Sequence, residues 1–192
     1  MAVIECTVNQ NVRDAGAANA AALCWQALEL CHQHGTGLMV MPCPEIACLG
    51  ASRQRPPGVS IGEAMRTRRC RQGVAALAVE VADRVQASLD AGTAVLAVLG
   101  GNERSPGCAV HDTTSSPEAE VGVFINALRA ELQRRGLEIP FRGLRDADPA
   151  QLAEDLAWLR TQLGDRAGAA DPAAVQAGAA DCSVAPTPAR RS

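Results

Sequence analysis

Aromatic side chains are scarce in this chain of 192 residues: they make up 2% of the sequence, and tyrosine does not occur. Ala, Val and Leu instead supply most of the hydrophobic fraction of 47%, which is typical of a globular protein that buries a core. A strongly basic composition is also missing, since the formal net charge is -3. We therefore expect no nucleic-acid partner, because such an interface usually requires a basic face.

Long apolar runs are missing as well. No hydrophobic stretch approaches the ~18 residues of a membrane-spanning helix, so we expect no membrane association. Residues 1–6 have neither the basic region nor the long apolar segment of a signal peptide. These features predict a cytoplasmic location, in which the eight cysteines are not expected to form a disulfide framework.

Alternating strand and helix patterns predict an α/β fold. Short apolar runs typical of buried strands are found at residues 2–8, 38–41, 93–99 and 137–141. Apolar residues at helical spacing predict helices at residues 17–34, 62–91, 121–135 and 149–163. This order predicts a doubly wound three-layer sandwich with a mostly parallel sheet of four to five strands. We expect one domain over residues 1–163 and a disordered Ala/Gly/Pro-rich tail at 164–192.

Most of the cysteines fall where packing explains them. Cys24 and Cys31 lie on the apolar face of a predicted helix, and Cys70 lies on the apolar face of the long one. Cys182 falls in the predicted tail and is assigned no role. Cys48 has two interpretations, either a metal ligand five residues after Cys43 or part of a buried helical turn.

The other three cysteines, Cys6, Cys43 and Cys108, lie at or just after the predicted carboxyl ends of separate strands. Ligands of doubly wound sheets bind at that edge, so the three thiols are expected to be close in space. Three thiolates suit zinc or an iron–sulfur cluster better than magnesium or calcium. A structural zinc site normally has a fourth protein ligand, whereas a cluster with one open iron does not need one. The alternative is three unrelated cysteines at strand ends.

A nucleotide site is not predicted. Gly100 and Gly101 follow the third strand, but neither a G-x-G-x-x-G pattern nor a Walker lysine follows them.

Three motifs, in order along the chain, resemble those of the 2-thiouracil desulfidase family and most closely its desulfidase-related branch. Residues 6–11 (Cys-Thr-Val-Asn-Gln-Asn) are similar to that branch's Cys-Val-Leu-Asn-Gln-Asn. Residues 41–45 match its Met-Pro-Cys-Pro-Glu, and residues 105–110 with Thr113 resemble its Ser-Pro-Ser-Cys-Gly-Val and downstream Thr. Residues 69–71 and 122–125 are similar too. The resemblance covers residues 1 to about 140.

The resemblance implies a [4Fe-4S] cluster held by Cys6, Cys43 and Cys108, with one iron free to take the sulfur of a small thiocarbonyl substrate. It further implies that Glu45 handles a proton and that Ser105 positions substrate or water, so that sulfur is replaced by oxygen and sulfide is released. Glu45 could instead be only a first-turn acid of a short helix, and Ser105 only a turn-forming residue.

The chain also departs from the family pattern. Gly107 replaces a serine, Ala109 replaces a glycine, and Asn126 and Ala127 stand where acidic residues are expected. An aromatic-rich segment is shortened to an Arg/Pro loop. These departures favour an alternative function, a non-catalytic iron–sulfur or zinc-binding module.

A few charged residues near the motifs have a functional and a plain interpretation. Arg53, Arg55 and Arg104 could bind an anionic substrate, but solvated surface positions are expected. His111 and Asp112 are close to Cys108 in sequence and are expected to be exposed loop residues.

Overall fold

The computed structural model describes residues 1–110 and 121–164. They form one sheet of four parallel strands in the order β2-β1-β3-β4. The strands are β1 (Ala2–Ile4), β2 (Met39–Met41), β3 (Val98–Gly100) and β4 (Phe141–Gly143). The parallel sheet between helices confirms the predicted α/β fold. His111, Asp112, Thr113, Cys182 and the predicted tail beyond Gly164 lie outside the described residues.

Seven helices and one 3₁₀ turn are described. The helices are α1 (Glu5–Val8), α2 (Trp25–Gln33), α3 (Pro44–Leu49), α4 (Ile61–Met65), α5 (Arg68–Asp90), α6 (Val123–Arg134) and α7 (Pro149–Gly164), and the turn is Gln10–Val12. In the described part of the chain, no helix has the length and hydrophobicity needed to cross a membrane.

The sheet separates two hydrophobic cores because successive side chains of a strand point to opposite faces. Ile4 and Val98 face a core built mainly with α5 and α6. Val3 and Leu99 face a second core built with α2 and α7. This arrangement is the predicted three-layer sandwich.

Several predicted boundaries are wrong. The first strand ends at Ile4 rather than residue 8, and Glu5–Val8 turn into a helix, so Cys6 lies on α1. The predicted helix at 17–34 begins only at Trp25. The predicted helix at 62–91 is two helices, because the Thr67 side chain accepts a hydrogen bond from the Cys70 amide and begins α5 there.

The last two strands begin later than predicted. The third covers Val98–Gly100 rather than 93–99, and the fourth covers Phe141–Gly143 rather than 137–141. Pro140 has no amide to donate, and only its carbonyl takes part, accepting from the Val98 amide at 2.9 Å. Strand pairing therefore starts after this proline.

A disulfide joins Cys48 at the end of α3 to Cys70 in the first turn of α5, with 5.4 Å between the two Cα atoms. The bond contradicts the expectation that the cysteines form no disulfide framework. Cys48 lies on the helical turn of α3 and is bonded to Cys70 rather than free for a metal, and the expectation that Cys70 only packs in the core is incomplete. Cys70 is buried in the core as expected, but it is also covalently linked. The bond closes a loop whose ends are 22 residues apart and holds α3 against α5.

Reduction of this disulfide is expected to lower the free energy of unfolding by about 3 kcal/mol, because the unfolded chain regains the entropy of an open loop. Urea unfolding of the oxidised protein and of the protein in dithiothreitol measures the difference. The Cys48→Ala variant is the control and should be insensitive to the reductant. Equal stability of oxidised and reduced wild type would contradict the expectation.

Candidate functional site

The structure brings the three predicted cysteine loops to one edge of the sheet. Cys6 and Cys43 each lie two residues beyond the carboxyl end of a strand, β1 and β2, which pair in parallel. Cys108 lies in the loop after β3, and its carbonyl accepts a hydrogen bond from the Gly101 amide at 2.9 Å. All three side chains are buried, and none of them is in a disulfide.

The loops contact one another directly. The Glu5 carboxylate, next to Cys6, accepts a hydrogen bond from the Cys43 amide at 2.8 Å. On the other side, the Cys108 loop lies so close to α3 that a Cβ on Gly107 would be 2.8 Å from Pro44 Cγ. The Cys43 loop thus contacts both of the other two.

The N-terminus of α6 fixes the Cys108 loop. The amides of Gly122, Val123 and Phe124 donate to carbonyls of Ala109, Pro106 and Gly107 at 2.9–3.0 Å. These bonds satisfy helix donors that have no partner within the helix. Gly122 is required for this approach, because a Cβ there would lie 2.5 Å from the Cys108 nitrogen and the Gly107 carbonyl carbon.

Glu45 and Ser105, the two predicted catalytic residues, are hydrogen-bonded to each other. Ser105 Oγ donates to Glu45 Oε1 at 3.0 Å and lies 3.2 Å from Cys108 Sγ. The Cys108 amide also donates to Ser105 Oγ at 3.2 Å. Ser105 therefore links the Glu45 carboxylate to Cys108. It also stabilises its own turn, which was the alternative, purely structural role expected for it.

Arg53 is not the solvated residue that the sequence suggested. Its side chain is only 2% exposed, and Nε lies 3.5 Å from Glu45 Oε2. Its Nη2 donates toward Cys43 Sγ at 3.7 Å. The expectation of solvated side chains holds for Arg55 and Arg104, which are exposed.

Sequence reasoning missed Arg13 and Asp146. Arg13 Nη2 lies 3.7 Å from Cys6 Sγ and 2.6 Å from the Asp146 carboxylate. Asp146 follows β4 and is 133 residues away in the chain. Asp146 could have been noticed because it follows a predicted strand, as ligand-binding residues of such sheets often do. Nothing in the sequence pairs it with Arg13.

Burial disfavours charge on all three thiols. It raises the pKa of Cys6 against the opposing effect of Arg13, and it raises the pKa of Cys43. The pKa of Cys108 is strongly raised, first by burial and then by electrostatic interaction with the nearby Cys6 side chain. The thiols are therefore protonated at neutral pH in the protein alone, and a metal group that binds them must release protons.

Within residues 1–110 and 121–164, no three His, Cys, Asp or Glu side chains are grouped as ligands of a single metal ion. A zinc ion would need sulfurs within about 4 Å of each other, given Zn–S bonds of ~2.3 Å in a tetrahedron. A cluster places a different iron at each thiolate and so suits a wider arrangement. Three buried, unpaired thiols from three packed loops fit the donor set of a cluster with one open iron.

Comparison of the chain with known protein families, curated proteins and solved structures found no match. The resemblance to the desulfidase family therefore rests on the sequence motifs alone.

Gly107→Ala is expected to destabilise the protein by about 1–3 kcal/mol, since the new methyl group would overlap the Pro44 ring and the Glu45 side chain. Serine, the residue of the resembling motif, shares this Cβ and the same overlap. Thermal unfolding measures the effect.

The matched control is Gly73→Ala in α5, where an added Cβ meets no atom within 4 Å. That variant should gain about 0.4–1 kcal/mol, because alanine restricts the unfolded chain more than glycine. Loss of stability at position 73 equal to that at position 107 would show that close packing at Gly107 is not the cause.

Proposed function

We propose that this protein holds a [4Fe-4S] cluster through Cys6, Cys43 and Cys108 and removes sulfur from a small thiolated compound. The observation that carries the proposal is the convergence of three buried thiols beside the hydrogen-bonded pair Glu45 and Ser105. The motif resemblance supports the same assignment.

The overall reaction replaces the sulfur of a thiocarbonyl compound by the oxygen of water and releases hydrogen sulfide. When bound, the cluster would supply a Lewis-acidic iron that accepts sulfur. We assign Glu45 the role of accepting a proton from water or returning it to the departing group, because its carboxylate lies 3.0 Å from Ser105 Oγ within the three-cysteine site. Ser105 Oγ is placed to orient that water or the substrate by hydrogen bonding.

One observation favours the second candidate, a non-catalytic iron–sulfur module. Both oxygens of Glu45 already have protein partners, Ser105 on Oε1 and Arg53 on Oε2. A carboxylate held from both sides can serve as a structural brace between the Cys43 and Cys108 loops. The two candidates share the cluster and differ only in turnover.

We also propose a cytoplasmic location. Five cysteines of the described chain are free, as is usual in a reducing compartment, whereas the Cys48–Cys70 disulfide is a bond that such a compartment disfavours.

Protein purified without oxygen is expected to be brown and to contain about four irons per chain. Cys43→Ala should lose the colour and most of the iron, because one of the three thiolates is gone. Cys31→Ala, which removes an equally buried cysteine from the opposite core, should keep both. Metal analysis that finds one zinc, or colourless wild type that cannot be reconstituted with iron and sulfide, would contradict the cluster.

Glu45→Gln is expected to lower sulfide release from thiopyrimidines by about 10²-fold or more while the iron content stays that of wild type. Glutamine keeps the shape and the hydrogen bond from Ser105 but cannot accept a proton. It also removes the carboxylate that faces Arg53, so the iron content of the variant is measured in the same sample. Sulfide is measured after incubation of the anaerobic protein with 2-thiouracil and related thiocarbonyl compounds. A full cluster without sulfide release from wild type would favour the non-catalytic module.

A further inference from the structure

Two arginines lie against two of the three candidate ligands in the same way. Arg13 Nη2 is 3.7 Å from Cys6 Sγ, and Arg53 Nη2 is 3.7 Å from Cys43 Sγ. These distances are typical of an N–H group directed at sulfur. The third cysteine, Cys108, has instead the uncharged hydroxyl of Ser105 at 3.2 Å.

Arg53 is placed at an energetic cost. Its side chain is only 2% exposed, and a buried charge is unfavourable unless it is paired. Its backbone has a φ of 48°, the left-handed region, which is unfavourable for a residue with a side chain. Strained backbone positions of this kind are concentrated at functional sites.

Arg53 has one charged partner and several neutral ones in the described chain. Nη1 and Nη2 donate to the carbonyls of Ala51 and Val12 at 2.9 and 2.5 Å. The only carboxylate near it in the described chain, that of Glu45, is 3.5 Å away and is shared with Ser105. The remaining group on the guanidinium is Cys43 Sγ. Negative charge at this sulfur would complete the set of partners.

Arg13 is held in place by the carboxylate of Asp146. Two of its nitrogens bind the two Asp146 oxygens at 3.1 and 2.6 Å, a paired geometry that orients the guanidinium plane. Asp146 is in turn held by the side-chain amides of Gln10 and Asn19 at 3.1 and 2.9 Å. With Asp146 immobilised, Nη2 of Arg13 is directed at Cys6.

We propose that Arg13 and Arg53 are positioning residues that donate hydrogen bonds to the Cys6 and Cys43 thiolates and stabilise the negative charge of the cluster they hold. This inference rests on the proposed function, because it requires a cluster at these cysteines. Hydrogen bonds and positive charge beside the sulfurs favour the more negative, reduced state and so raise the reduction potential. Because Cys108 has only a hydroxyl, the stabilisation is concentrated on two of the three ligands.

The test measures the potential of the cluster in reconstituted protein by an anaerobic titration followed with electron paramagnetic resonance. Arg13→Gln and Arg53→Gln should each shift the one-electron potential to a more negative value, and the double variant should shift it further. Arg13→Lys and Arg53→Lys keep the charge and should retain most of the wild-type potential. The control, Arg134→Gln, removes a charge from an exposed ion pair at the far end of α6 and should leave the potential unchanged.

A second readout is the rate at which an iron chelator removes the cluster. Loss of an outer hydrogen bond to a ligand typically weakens metal binding about 10- to 100-fold, so the two Gln variants should lose iron at least about 10-fold faster than wild type. Thermal unfolding of the same samples separates this effect from a general loss of stability. If Arg53→Gln does not fold, Arg53→Lys and the Arg13 variants decide the question.

A wild-type potential and chelation rate in both Gln variants would overturn the role of the arginines, even if their thermal stability fell. Wild-type protein that takes up no cluster would overturn both this inference and the proposed function. A cluster in wild type that releases no sulfide, together with shifted potentials in the Gln variants, would overturn the desulfidase function alone.

Discussion

The parallel pairing of β1 with both β2 and β3 is the constraint on which the candidate site depends. It brings three carboxyl-terminal loops to adjacent positions, and each loop then turns immediately. Cys6 lies on the helical turn after β1, Cys43 at the N-cap of α3, and Cys108 in a loop fixed by α6. Parallel strands need long crossovers, so residues that meet here are far apart in the chain.

Charged side chains hold these loops in place from outside. Asp155 of α7 is fully buried and binds the amide and the guanidinium of Arg145 at 2.7–2.8 Å. Arg145 immediately precedes Asp146, which binds Arg13 beside Cys6. A helix on the opposite face of the sheet thereby contributes to the position of a guanidinium at the thiols. Burying ions in this way is favourable only when each has its partners, so the set acts as a unit.

The sequence allowed the strands, the parallel sheet and the convergence of Cys6, Cys43 and Cys108 to be predicted, because strand ends and topology determine them. It also paired Glu45 with Ser105 in one site through the motif resemblance. It could not show that Arg53 is buried, because a polar Arg/Pro loop usually lies in solvent and its left-handed backbone has no signature in an arginine. The Arg13–Asp146 ion pair and the Cys48–Cys70 bond depend on how separate elements pack, which periodicity does not record.

The cysteines are distributed between the two cores described above. Cys24 and Cys31 lie in the core with α2 and α7, whereas Cys6, Cys70 and Cys108 lie in the core with α5 and α6. The sheet separates them at Val3, Val98 and Leu99, which are all buried. At the edge of the sheet the two sets approach each other, because the Cys24 amide donates to the carbonyl of Thr7, next to Cys6, at 2.9 Å. Thiol–disulfide exchange requires direct attack of one sulfur on another, so in the folded protein it would have to occur at this edge rather than across the sheet.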